Sequence, residues 1–151
     1  MLDLLKGVEE LHQIIAFLVI GILCLCAVLF GSVRERLVAG IFSLDALSIV
    51  AFIGYLDGWW MVWAVASKTV LLFVIYAALS WRWPHIWLIV ITSLQFIDLL
   101  LVMAMFVDNS IVMSANGLLR NVVGWLMLLT FAVAIVQTAQ ERLMKKPEPM
   151  A

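Results

Sequence analysis

The sequence predicts an all-α integral membrane protein, a bundle of five transmembrane helices with the N-terminus outside and the C-terminus in the cytoplasm. Three observations carry that expectation: the composition, five long apolar runs, and the placement of charge and tryptophan between them. Of the 151 residues, 66% are hydrophobic and 13% are charged, whereas soluble domains average about 45–50% and about 25%. Mean hydropathy is +1.17. A helix rises about 1.5 Å per residue, so about 20 apolar residues cross a hydrocarbon core ~30 Å thick. Runs over about 14–32, 37–56, 59–79, 86–107 and 117–138 meet that length. Their connections are short. Residues 1–146 therefore read as a single transmembrane helical domain and 147–151 as a short cytoplasmic tail.

Orientation follows from where the bases fall. With alternating helices, Arg34, Arg36, Arg82, Arg142, Lys145 and Lys146 share one side, while Lys6, Asp57 and Asp108 share the other. Basic residues stay on the cytoplasmic side, which sets the topology.

Taken in order, residues 1–13 place Leu4, Val8 and Leu11 at helical spacing among acids. That pattern suits an amphipathic segment on the outer surface or a plain extension of the first helix. The acids Asp3, Glu9 and Glu10 stand where a signal peptide would be basic. The first span has no charge from Ile14 to Ser32, and its Cys24 and Cys26 sit about 200° apart, too far to share a metal. Val33–Arg36 reads as a tight inner turn, with the second helix starting at Leu37. That helix contains Asp45, whose insertion costs about 3 kcal/mol at mid-span. Flanking Leu, Ile, Val and Phe residues offset it by about 0.3–0.6 each.

Trp59, Trp60 and Trp63 open the third helix, and Trp81, Trp83 and Trp87 flank the inner turn. Tryptophan favours both membrane interfaces. Pro84 suits the first turn of the fourth helix, where its missing N–H costs nothing. Residues 107–115 read as the longest outer loop. The fifth helix then carries Asn116, Arg120 and Gly124 on one face and runs past Thr138 until Pro147 stops it.

The second-to-third and fourth-to-fifth helical hairpins share a cadence. Asp45, Asp57 and Lys68 in one correspond to Asp98, Asp108 and Arg120 in the other. The two hairpins read as a candidate parallel repeat.

Lys68 and Asp98 are the residues this sequence must explain. Lys68 lies 14 residues from Arg82 and Asp98 lies 13 from His85, so each sits roughly 20 Å from the inner boundary. Asp45 lies roughly 13 Å in, within reach of a bending lysine. Arg120 matches Lys68 in depth if counted from Asp108, but lies near the outer surface if its helix starts at Gly117. Ionised groups at such depth need partners or water. The expected cluster is Asp45, Lys68, Asp98 and Arg120, with Ser67, Thr92, Gln95 and Asn116 as hydrogen-bonding neighbours. Lys68 and Asp98 are expected to pair directly.

No nucleophile elbow, phosphate loop, zinc-protease helix or metal-ligand spacing is present in the sequence, and His12 and His85 fall on opposite faces. The reading is therefore no enzyme, no metal, no cofactor and no nucleic-acid partner. The expected partners are the lipid bilayer and other membrane subunits or a second copy of the chain. Two functions fit: a non-catalytic accessory or assembly subunit of a larger bacterial inner-membrane complex, held together by intramembrane ion pairs, or a small oligomeric transporter or channel for a proton, ion or polar solute.

Overall fold

The computed structural model describes the backbone of residues 2–55, 59–107 and 112–144, and side chains at 14–51, 55, 59–104, 106 and 117–144. Five helices follow in order: α1 (Leu2–Phe30), α2 (Val33–Tyr55), α3 (Trp59–Arg82), α4 (Ile86–Val107) and α5 (Val112–Met144). There is no strand among the described residues. The expected outer acids Asp57 and Asp108, the basic pair Lys145 and Lys146, and the 147–151 tail lie outside the described residues, as do the side chains of Lys6 and Asn116.

Three helical stretches are long and apolar enough to cross a membrane: Trp59–Arg82, Ile86–Ala104 and Gly117–Met144. α2 (Val33–Tyr55) has its charges at its start, Arg34, Glu35 and Arg36, with Asp45 further in. The apolar stretch of α1 with described side chains, Ile14–Phe30, is a shorter one. Leu71, Leu100 and Leu129 are more than half exposed on the three long helices. In water such an exterior would drive aggregation, whereas hydrocarbon accepts it, since each helix satisfies its own backbone.

Several boundaries move from their sequence positions, each for a local reason. α1 runs unbroken from Leu2 to Phe30, so residues 2–13 extend the first helix. α2 begins at Val33 rather than Leu37, because Ser32 caps it: the Ser32 carbonyl accepts the Arg36 N–H at 3.1 Å. The whole α1–α2 connection is thus Gly31-Ser32. α4 starts only after Pro84; the His85 carbonyl accepts N–H groups from Leu88 and Ile89, both at 3.0 Å. Proline therefore sits in the connector rather than in the first turn. α5 begins at Val112, so much of the expected 107–115 loop is helix.

The chain divides into two compact units, residues 1–50 with 132–151, and residues 51–131. In the first unit α1 meets α2 through small residues. Ala27, Ala39 and Ala46 are buried, as are Val38 and Phe42. Small side chains let helix backbones approach, and Cys24 reaches across to α2, its Sγ 3.4 Å from the Ala39 carbonyl and 3.2 Å from the Ser43 hydroxyl. Cys24 is thus a packing residue.

The second unit is an antiparallel series of α3, α4 and the first part of α5. Trp63 packs on Phe106 at 5.2 Å between ring centroids, and Phe73 on Phe96 at 5.5 Å. Ten residues forward along α3 (63 to 73) therefore match ten back along α4 (106 to 96). Ala66, Thr69 and Tyr76 form the buried stripe of α3. On α4 the stripe is Ile91, Gln95 and Val102, with Asp98 on the same face at the i, i+4, i+7, i+11 spacing.

Candidate functional site

α4 and α5 fix the site by their register. Trp87 meets Phe131 with ring centroids 6.4 Å apart, and Asp98 meets Arg120. Eleven residues forward on α4 (87 to 98) match eleven back on α5 (131 to 120), so the two contacts are rungs of one antiparallel pair. Arg120 shares its helical face with the buried Val123, Met127 and Phe131. The same packing that buries these residues aims the guanidinium at α4.

The contact is two-pronged: Arg120 Nε donates to Asp98 Oδ1 at 2.7 Å, and Nη2 faces Oδ2 at 3.4 Å. Such a fork matches the carboxylate plane and adds direction to the charge attraction. The side chains are 28% (Arg120) and 16% (Asp98) exposed. Because α5 starts at Val112, Arg120 stands eight residues inside it, about 12 Å from its end. Asp98 lies nine residues before the end of α4, about 14 Å in. Arg120 therefore lies within its helix rather than at the helix start.

The other expected members are distributed differently. Lys68 is half-buried on α3 in the second unit, and Asp45 is half-buried on α2 in the first. Asp98, the expected partner of Lys68, is bound by Arg120. Gln95 is buried on α4, one turn before Asp98 on the same face. Ser67 and Thr92 turn to carbonyls instead of carboxylates. The Ser67 hydroxyl donates to Trp63 O at 2.6 Å, with Ala64 O at 3.2 Å. Thr92 Oγ1 lies 2.8 Å from Leu88 O and 3.2 Å from Tyr76 O on α3. A hydroxyl has one proton, and in an apolar helix the carbonyl one turn back is the nearest acceptor.

The structure also brings together residues that the sequence reading passed over. Glu35 is 1% exposed at the start of α2. Its Oε2 accepts the Ser32 N–H at 2.8 Å and the Ser32 hydroxyl, and its Oε1 accepts the Thr138 hydroxyl of α5 at 3.1 Å. Arg142 Nη2 donates to Gly31 O at 2.9 Å, so the end of α5 holds Gly31 of the α1–α2 connection directly and, through Thr138, the Glu35 that binds Ser32. Burial pushes the Glu35 carboxyl up, but the hydrogen bonds from Ser32 and Thr138 outweigh it and leave the group below its ordinary value. Ser32-x-x-Glu35 is the serine-to-glutamate spacing of a capping box, a signal present in the sequence. Thr138, more than 100 positions away, had no such signal.

Among the described residues no three His, Cys, Asp or Glu side chains converge on a metal position. Fold and site define a class: an α-helical protein with, among the described residues, three helices long and apolar enough to cross a membrane and an acid–base pair fixed between two of them. No family model, curated protein or solved structure matches the chain.

Proposed function

We propose that the chain is a non-catalytic accessory or assembly subunit of a larger bacterial inner-membrane complex. In this reading all five helices span the membrane with the N-terminus outside, and the α2–α3 and α4–α5 hairpins are a parallel repeat. The observation that supports the subunit reading is the Asp98–Arg120 contact. Its opposite charges are matched one to one, by a fork, between two packed helices. A pair so matched stabilises the register of α4 and α5 and requires no transported ion. The exposed apolar faces of α3, α4 and α5 then contact lipid and partner subunits.

Extraction in several mild detergents followed by native electrophoresis tests this. The expected result is a band well above the 17.0 kDa monomer that contains other proteins. A monomer in every mild detergent overturns it. Ion or proton flux in reconstituted vesicles that vanishes in Asp98→Asn would replace it by the transporter reading.

A further inference from the structure

Between α3 and α4 of the second unit runs a groove of about 520 Å3, lined by Phe73, Ser80, Ile89, Thr92, Phe96 and Ile97, with Ser93 at its edge. Two of its three hydroxyls are spent on the helix: Thr92 on Leu88 O and Ser93 on Ile89 O. Among the described residues Ser80 is the groove hydroxyl not committed to a carbonyl. The walls are otherwise aliphatic and aromatic.

The groove begins at Ser80 and Ile89, close to the Trp83-Pro84-His85 connector, and reaches Phe73 and Ile97. Those residues lie seven and eight positions further from the connector, about 10 to 12 Å deeper. At the shallow end the chemistry changes. Trp81, 92% exposed, precedes the exposed Arg82 that ends α3. Asp98 is the one acid in this unit among the described side chains, and Arg120 holds it at a different level. The Arg82 charge therefore has no carboxylate of its own unit to answer it among those residues.

An apolar furrow with one free hydroxyl near its mouth, then an interfacial tryptophan and a lone arginine, has the polarity of a phospholipid read from tail to headgroup. We propose that this groove holds one acyl chain of an anionic phospholipid. Ser80 donates to its glycerol ester, and the long side chain of Arg82 meets its phosphate. The proposal deepens the membrane reading and rests on it. A zwitterionic lipid would fill the furrow equally well but would carry an ammonium group into the neighbourhood of Arg82, so the anionic class is the better match.

Native mass spectrometry of the full chain in mild detergent tests this, with added phosphatidylglycerol or phosphatidylcholine as the probe. The wild type is expected to retain phosphatidylglycerol preferentially. Arg82→Gln, an exposed site whose change leaves the fold intact, should cut that retention about fivefold. Ile97→Trp, which fills the deep end, should reduce retention of both lipids. Equal retention of the two lipids by the wild type, or phosphatidylglycerol retention unchanged in both variants, overturns the proposal. Alkaline carbonate extraction separates this failure from that of the membrane reading. A chain that stays in the pellet but shows no lipid preference sinks the lipid site alone, whereas a chain released to the supernatant sinks the membrane reading itself.

Discussion

Each of the two compact units engages a carboxylate between helices, and they do it with different chemistry. In residues 51–131 Asp98 faces a full positive charge, the Arg120 guanidinium. In the unit formed by 1–50 and 132–151, Glu35 is almost completely buried and takes only an amide and two hydroxyls. The contrast follows from place along the helix. Asp98 lies inside α4, where every backbone N–H is already used, so a side-chain base must supply the donor. Glu35 lies in the first turn of α2, where free N–H groups and the positive end of the helix dipole favour an anion. A helix interior needs a partner from elsewhere in the fold; a helix start brings part of its own.

The widest separation between the two arrangements should appear when one partner is deleted. Asp98→Leu or Arg120→Leu strands a charge within the helical layer and should cost about 3 kcal/mol each, measured by thermal unfolding in detergent. The double change should cost at least about 1 kcal/mol less than the sum of the singles. Simple additivity would mean that the fork contributes no coupling.

The hydroxyl-held acid should be more forgiving. Glu35→Leu removes the acceptor for Ser32 and Thr138 and should cost about 2 kcal/mol, with fraying of the first turn of α2. A loss as large as that of Asp98→Leu would erase the distinction. Gly31→Ala attacks the same corner sterically. A Cβ there meets the Ala27 carbonyl oxygen and lies 2.9 Å from Glu35 Cβ, so a cost of about 2 kcal/mol is expected. Thr138→Val removes one donor of three and should cost about 1 kcal/mol.

The smallest expected effect is on acidity. Because the Glu35 carboxyl is held below its ordinary value of 4.5, its share of stability is fully present above that pH. It is lost as pH falls through the lowered folded-state value. Glu35→Gln should flatten that part of the stability–pH curve. An identical acid limb in wild type and variant would assign it to other carboxylates.

Reading the chain by itself reaches the helices with little error at their centres, since a long apolar run signals a spanning length wherever its partners lie. It goes astray where ends depend on a few atoms. Arg34 and Arg36 taken as markers of the inner side draw attention away from Glu35 between them, which with Ser32 starts the helix four residues early. Depth counting placed Asp45, Lys68, Asp98 and Arg120 in one cluster without saying which base faces which acid. Depth says nothing of the direction in which a side chain leaves its helix, and Arg120 is the base that packing turns toward Asp98.

The sequence by itself therefore determined the helical class, the apolar runs, three of which are helices long enough for a membrane among the described residues, and the identity of the charges that had to be accommodated. These properties are local: they depend on residue type and on rise per residue. Tertiary structure alone decided which base faces Asp98 and which distant hydroxyl completes the shell of Glu35. Those choices depend on how α4 and α5 are rotated and slid against their neighbours, which is set by the fit of residues such as Trp87 against Phe131.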